Sequence, residues 1–227
     1  MKNLLIVALW VFSIVVVAQK SETRSLKSFH NIKVSQAIDV YLKKGDKESA
    51  RVEITGGDVE DVVTEVTENT LRVKMRDSRG FFSKVDAKVY VTYVSLEKIS
   101  ASSASSVFSD GMIKANNLDI NVSSAASVEL SVEATSVMVD VSSAGDAVLE
   151  GKASKVEVEV SSGGEIDAYK LDGETVVARS SSGGDARISV SKDLDAHASS
   201  GGDIRYRGNP SRTNTQSSSG GSVKKSN

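Results

Sequence analysis

One six-residue phrase recurs seven times along the later part of the chain and narrows what the chain can fold into. It reads SSASSV from Ser102, SSAASV from Ser123, SSAGDA from Ser142, SSGGEI from Ser161, SSGGDA from Ser181, SSGGDI from Ser199 and SSGGSV from Ser218. Successive copies begin 21, 19, 19, 20, 18 and 19 residues apart. A segment of that length cannot bury an apolar face alone, so copies at a near-constant period must stack, one turn per repeat, into a solenoid.

Aligning the copies turns the repeat into columns. Before the serine pair, Val137-Val139-Val141, Val156-Val158-Val160 and Leu194-Ala196-Ala198 alternate with polar neighbours, and so do Leu118-Ile120-Val122 and Val176-Ala178-Ser180. After it come the apolar pairs Val128 and Leu130, Ala147 and Leu149, Ile166 and Ala168, Ala186 and Ile188, Ile204 and Tyr206. Period-two alternation is the pattern of a strand with one buried face, so each turn is expected to contribute two inward-facing strands. Large and small residues alternate between levels after the corner, as close packing of stacked layers favours. The serine pairs then mark corners, where glycine supplies positive φ and hydroxyls can bond each other or the turn backbone. In the last turn the inward positions are Thr213, Thr215 and Ser217, followed by Lys224-Lys225. That reads as a polar terminal cap which discourages further stacking.

The stretch before the repeats is strand-rich without being periodic. Ile32–Val34, Ile38–Leu42, Arg51–Thr55, Leu71–Met75 and Val85–Tyr93 are rich in β-branched residues or alternate, while Lys44-Gly45-Asp46 and Gly56-Gly57-Asp58 are turn chemistry. Val59, Val62, Val63 and Val66 fall at helical spacing, so a short helix is predicted within 58–69. A solenoid must cover its open apolar end, and residues 19–100 are read as first turns plus cap, continuous with a repeat region over 101–223 and a polar tail at 224–227.

At the start, Met1-Lys2-Asn3, an apolar run from Leu4 to Val17 and then Ala18-Gln19 have the form of a secretory signal, so residues 1–18 are expected to be removed. No second long apolar segment follows that would span a membrane as a helix. The chain is therefore expected in the periplasm, at the outer-membrane surface or outside the cell. With no Cys it has no disulfide, thiolate metal site, cysteine nucleophile or lipidated cysteine. A net charge of -2, with basic residues dispersed, argues against nucleic-acid binding.

Three groups of side chains carry possible chemistry. Asp146, Glu165, Asp185 and Asp203 occupy one corner position in four successive turns. Stacked carboxylates repel, and a cation could bridge them, yet an acid after glycine is also ordinary turn chemistry that Arg187 and Arg205 can neutralise. The latter reading is taken, with no cofactor expected and the four acids kept as secondary metal candidates. An outward column runs Asp140, Glu159, Arg179, His197, flanked by Glu157 and Asp195. Acids beside an Arg are raw material for a polysaccharide lyase, while alternation alone predicts a wet ladder of ion pairs. Finally, Phe81-Phe82 follow Gly80 in a loop and would make either a contact patch or a lid over the solenoid end.

The serial SSGGE, SSGGD and SSGGD corners, the strand-rich lead from Phe29 through Leu71-Arg72-Val73, and the closing run Gly202-Asp203-Ile204-Arg205-Tyr206-Arg207-Gly208-Asn209-Pro210 resemble the putative auto-transporter adhesin, head GIN domain family of exported bacterial proteins. The resemblance covers nearly all of the mature chain. It implies an all-β, single-stranded, right-handed parallel β-helix, similar in shape to pectin lyases but without their catalytic residues, and a role in cell adhesion. The sequence reading is thus an exported, non-catalytic envelope or surface binding module whose ligand is a protein or a glycan. A lyase-like enzyme and a self-associating scaffold are the alternatives. The contact surface is expected at Asp140, Glu159, Arg179 and His197 or at Phe81-Phe82.

Overall fold

The computed structural model describes residues 19–76 and 85–226. The expected signal segment and the Phe81-Phe82 loop lie outside these described residues. The fold is all-β and builds a parallel solenoid, as the repeat predicts. Its strands are β1 (Lys20–Ser25), β2 (Asn31–Ser35), β3 (Asp39–Lys44), β4 (Ser49–Thr55), β5 (Val62–Thr67), β6 (Thr70–Met75), β7 (Asp86–Tyr93) and β8 (Lys98–Ser102). Then come the long β9 (Ser106–Val122), β10 (Ser127–Val141), β11 (Asp146–Val160), β12 (Glu165–Ser180) and β13 (Asp185–Ala198). The chain closes with β14 (Asp203–Arg207), β15 (Arg212–Ser217) and β16 (Ser222–Lys225).

From β9 to β13 each strand lies parallel to the next, and the inward columns align level upon level. Ile120 stands over Val139, Val158, Ala178 and Ala196 in turn, and Thr215 ends the column. The first five are buried, whereas every residue of β15 is exposed. The polar last turn thus meets water where the earlier levels meet apolar atoms.

Each turn carries three inward segments rather than the two expected. Between the predicted pairs, Ile113, Val132, Leu171 and Val190 are buried, with Ala115, Ala134 and Ala153 beside them. Their short, irregular spacing hides the period: registers shift between Glu129 and Ser131, Val148 and Glu150, and Ala168 and Asp172.

Among the described residues a further corner of this kind lies at Gln36-Ala37, one level before the first serine phrase. Its φ angles of 68° and 53° match those of the serine corners, such as Ser143 at 52° and Ala144 at 58°. Positive φ at both central residues, with the Gly145 N–H donating to the Ser142 carbonyl at 3.0 Å, makes a type I′ turn. The second serine therefore adopts positive φ as well as the residue after it, at a local cost of about 1–2 kcal/mol for a non-glycine residue. What offsets this is a backbone ladder along the corner. The Ala37 N–H donates to Ser103, Ala104 to Ser124, Ala125 to Ser143 and so on to Gly201 and Ser219, at 3.0–3.3 Å.

The N-terminal levels do not stack in chain order. Strands β2 and β3 lie between β6 and β7 on one side and β8 and β9 on the other, each pairing parallel. Beyond β6 and β7 the sheet is completed by antiparallel strands: β4 on β7, β1 on β4, and β5 on β6. Arg24 of β1 reaches across this end, donating to the carbonyls of Val59 and Val62, each at 2.6 Å. Together these strands extend the sheet beyond β6 and β7.

The helix predicted within 58–69 does not form. A single 3-10 turn, Val59–Asp61, leads straight into β5, which pairs with β6 through a hairpin turning at Glu68 and Asn69, φ 47° and 65°. The β-branched run Val62, Val63, Thr64, Val66, Thr67 favours the pleated strand, and Val62 buries its side chain there.

Candidate functional site

The structure brings the outward column together as read. Asp140, Glu159, Arg179 and His197 are register partners on β10 to β13. Their polar partners, however, belong to the neighbouring column: Arg179 Nη1 reaches Glu157 Oε1 at 3.3 Å, and His197 Nε2 lies 2.8 Å from Asp195 Oδ1. Asp140 and Glu159 project into solvent. Exposed pairs of this kind contribute about 0–1 kcal/mol each, so the column is a charged surface more than a source of stability.

At the corner, Asp146, Glu165, Asp185 and Asp203 also align in one column. The guanidinium of Arg187 contacts Glu165 at 2.7 Å, Asp185 at 3.5 Å and Asp167 at 3.8 Å, and Arg205 contacts Asp203 at 2.7 Å and Asp185 at 3.0 Å. Two arginines thus supply the countercharge for the lower carboxylates. Among the described residues no group of three potential ligands is arranged to hold a metal ion.

Asp146, at the top of this column, has no such partner. Partial burial, and then the charges of Glu165 and Asp167, push its carboxyl above the usual aspartate range. A raised acid in the folded state means that ionisation opposes folding. The penalty is fully present above the folded pKa and disappears as pH falls below the unfolded value. Asp146→Asn is therefore expected to raise the melting temperature slightly at neutral pH, with the gain vanishing in strong acid. Paired thermal melts across that range check it.

Two features were not read from the sequence. Tyr90, Tyr41 and Phe108 stack along three adjacent levels, centroids 5.1 and 5.2 Å apart, and the Arg51 guanidinium covers Tyr90 at 4.2 Å. Tyr41 is thus stacked on both faces and Tyr90 is covered by Tyr41 and Arg51, and these two rings line a pocket of about 360 Å³. Only the register of β3, β7 and β9, which no repeat encodes, brings them together.

The second feature is a trough along the rod, over the third inward segment. Its floor is Ala115, Ala134, Ala153, Gly173, Val190 and Gly208. One lip carries Lys114, Glu133, Lys152 and Asp172, and the other Thr135, Ser154, Glu174 and Ser191. The cavity measures about 960 Å³ and adjoins another of about 720 Å³, the two sharing Lys114 and Ala115. Glu133 accepts from both lysines at 3.2 Å, and these ammonium groups hold its carboxyl below the usual range. The signal available in the sequence was the recurrence of small residues midway between corners, visible once the bulges are allowed for.

Stacked levels, type I′ corners and charged outer columns define the molecule as a parallel β-solenoid with long, regular faces. Residues 28–210 match the model of the family described as "Putative auto-transporter adhesin, head GIN domain", and the chain belongs to that family. No functionally curated protein matches it in sequence. Among solved structures it is similar to a putative adhesin from Bacteroides fragilis NCTC 9343, with TM-score 0.83 and 23% identity over 92% of this chain and 97% of that one. It is also similar to a putative adhesin from Parabacteroides merdae ATCC 43184, with TM-score 0.75 and 19% identity over 92% and 96%. A further similar structure is a putative lipid binding protein from Parabacteroides distasonis ATCC 8503, with TM-score 0.66 and 18% identity over 92% and 97%. At these identities the likeness is one of fold.

Proposed function

We propose that this chain is an exported, non-catalytic binding module of the cell envelope or surface, acting as an adhesion head through its outer faces. The observation that carries this reading is the pairing in the one enzyme-like column. A lyase needs an arginine available to neutralise a uronate and a base poised beside it. Here Arg179 is engaged by Glu157 and His197 by Asp195, on an open face. Membership of an adhesin-head family and likeness to proteins described as putative adhesins support the same conclusion. Among the described residues no helix is long and apolar enough to cross a membrane.

The test is a turnover screen of the purified protein on acidic polysaccharides, with Arg179→Ala as the control. The expected outcome is no product from either protein, together with retention of the wild type on intact envelope material. Product formed by the wild type and abolished in Arg179→Ala would replace the binding reading with a lyase.

A further inference from the structure

We infer that the trough is a binding site for an uncharged linear glycan lying along the rod axis. This rests on the surface-binding reading above and specifies its ligand and its place. The trough spans seven levels, from Leu96 to Gly208, or roughly 30 Å at the ~4.8 Å spacing of stacked strands. A ligand following it crosses the strands and meets equivalent positions at every level. It must therefore be extended and repetitive, with polar groups recurring at a spacing close to that of the levels, as the sugar units of an extended glycan do.

The chemistry of the lips selects among such polymers. No cationic excess lines it: the main cavity carries Lys114 and Lys152 against Glu133, Asp172 and Glu174, and the adjoining cavity adds Glu97 and Asp119. Most are already paired, Glu133 with both Lys114 and Lys152, and Glu174 with Lys192 at 2.7 Å. A polyanion finds no uncompensated cation here. An extended peptide is disfavoured for another reason. Its amides need a free strand edge, whereas the backbone flooring the trough is already bonded to the levels on either side. Hydroxyls both donate and accept, matching the mixed ammonium, carboxylate and hydroxyl lips, including the exposed Thr135 and Ser154. The small floor residues leave depth for a pyranose ring. With no aromatic side chain lining the main cavity, affinity must come from hydrogen bonds summed over levels.

The experiment is calorimetric titration of the purified protein with neutral cello-, xylo-, manno- and chito-oligosaccharides from disaccharide to hexasaccharide. Polygalacturonate and a Ser/Thr-rich peptide are run alongside. In at least one neutral series, affinity is expected to rise about tenfold or more with length, as each level adds hydrogen bonds of modest net value. The double variant Thr135→Trp, Ser154→Trp fills the trough from exposed positions. It should cut that affinity by a similar factor without changing the melting temperature. No binding in any neutral series, preference for polygalacturonate or the peptide, or binding undiminished in a folded double variant would each overturn the inference. Retention on envelope material keeps the two readings separable: if wild type and double variant are retained equally, the trough is refuted and surface binding stands. If the wild type is not retained, surface binding itself fails.

Discussion

Replacing Val158 by Asp should unfold the solenoid, whereas the same change at Thr215, in the same column, should be nearly silent. Val158 is fully buried between Val139 and Ala178. Aspartate there loses the valine's burial, about 1.5–3 kcal/mol. It also places a carboxyl among apolar side chains that offer it no hydrogen bond, for a total of about 5 kcal/mol or more. Total stability of a domain is about 5–15 kcal/mol, so one such change approaches all of it. In a stack where each level touches only its neighbours, a failed central level also uncouples the two halves. Thr215 caps the column and is exposed, so Thr215→Asp should cost less than about 0.5 kcal/mol. Thermal melts followed by far-ultraviolet circular dichroism measure both. A Val158→Asp protein as heat-resistant as the wild type would refute the register.

That contrast rests on what the sequence made legible. Columns such as Val139-Val158-Ala178-Ala196 could be read because each level repeats the same alternation at nearly the same distance from a serine corner. The Gln36-Ala37 corner could not, since it lacks the serine pair and the intervening strands separate it from its spatial neighbour at Ser103. Nor could the order of the first levels, in which β2 and β3 insert between strands that follow them in sequence. For the site, alignment placed Asp140, Glu159, Arg179 and His197 in one column but could not choose their partners. A long side chain on a sheet reaches diagonally as readily as along its own column, and Arg179 takes Glu157 instead of Glu159. The trough was hidden for a related reason: bulges shift the register there, so its small residues fall out of phase with the corners.

The third segment supplies the other large expected effect, at a glycine with no special appearance in the sequence. Gly151 pairs with Val132 on one side and Leu171 on the other, and both of those side chains are buried. Its φ of 117° lies in a region that residues with a side chain rarely adopt, and a Cβ there would come within 2.0 Å of the Val132 carbonyl oxygen. Alanine cannot relieve this by rotating, because Cβ is fixed to the backbone. Either the two levels separate, breaking parallel pairing on both sides of β11, or the local chain abandons its bend. Strain at such a φ costs about 1–3 kcal/mol and overpacking a similar amount, so Gly151→Ala should lose about 3–5 kcal/mol. Gly163 makes the control: its φ is also positive, at 71°, but nothing lies within 4 Å of an added Cβ, and Ala144 fills the equivalent place one corner earlier. Gly163→Ala should cost only about 1 kcal/mol. Chemical denaturation of the two variants against the wild type separates steric closeness from φ alone. Equal losses would mean that backbone conformation, and not the approach of neighbouring levels, governs these glycines.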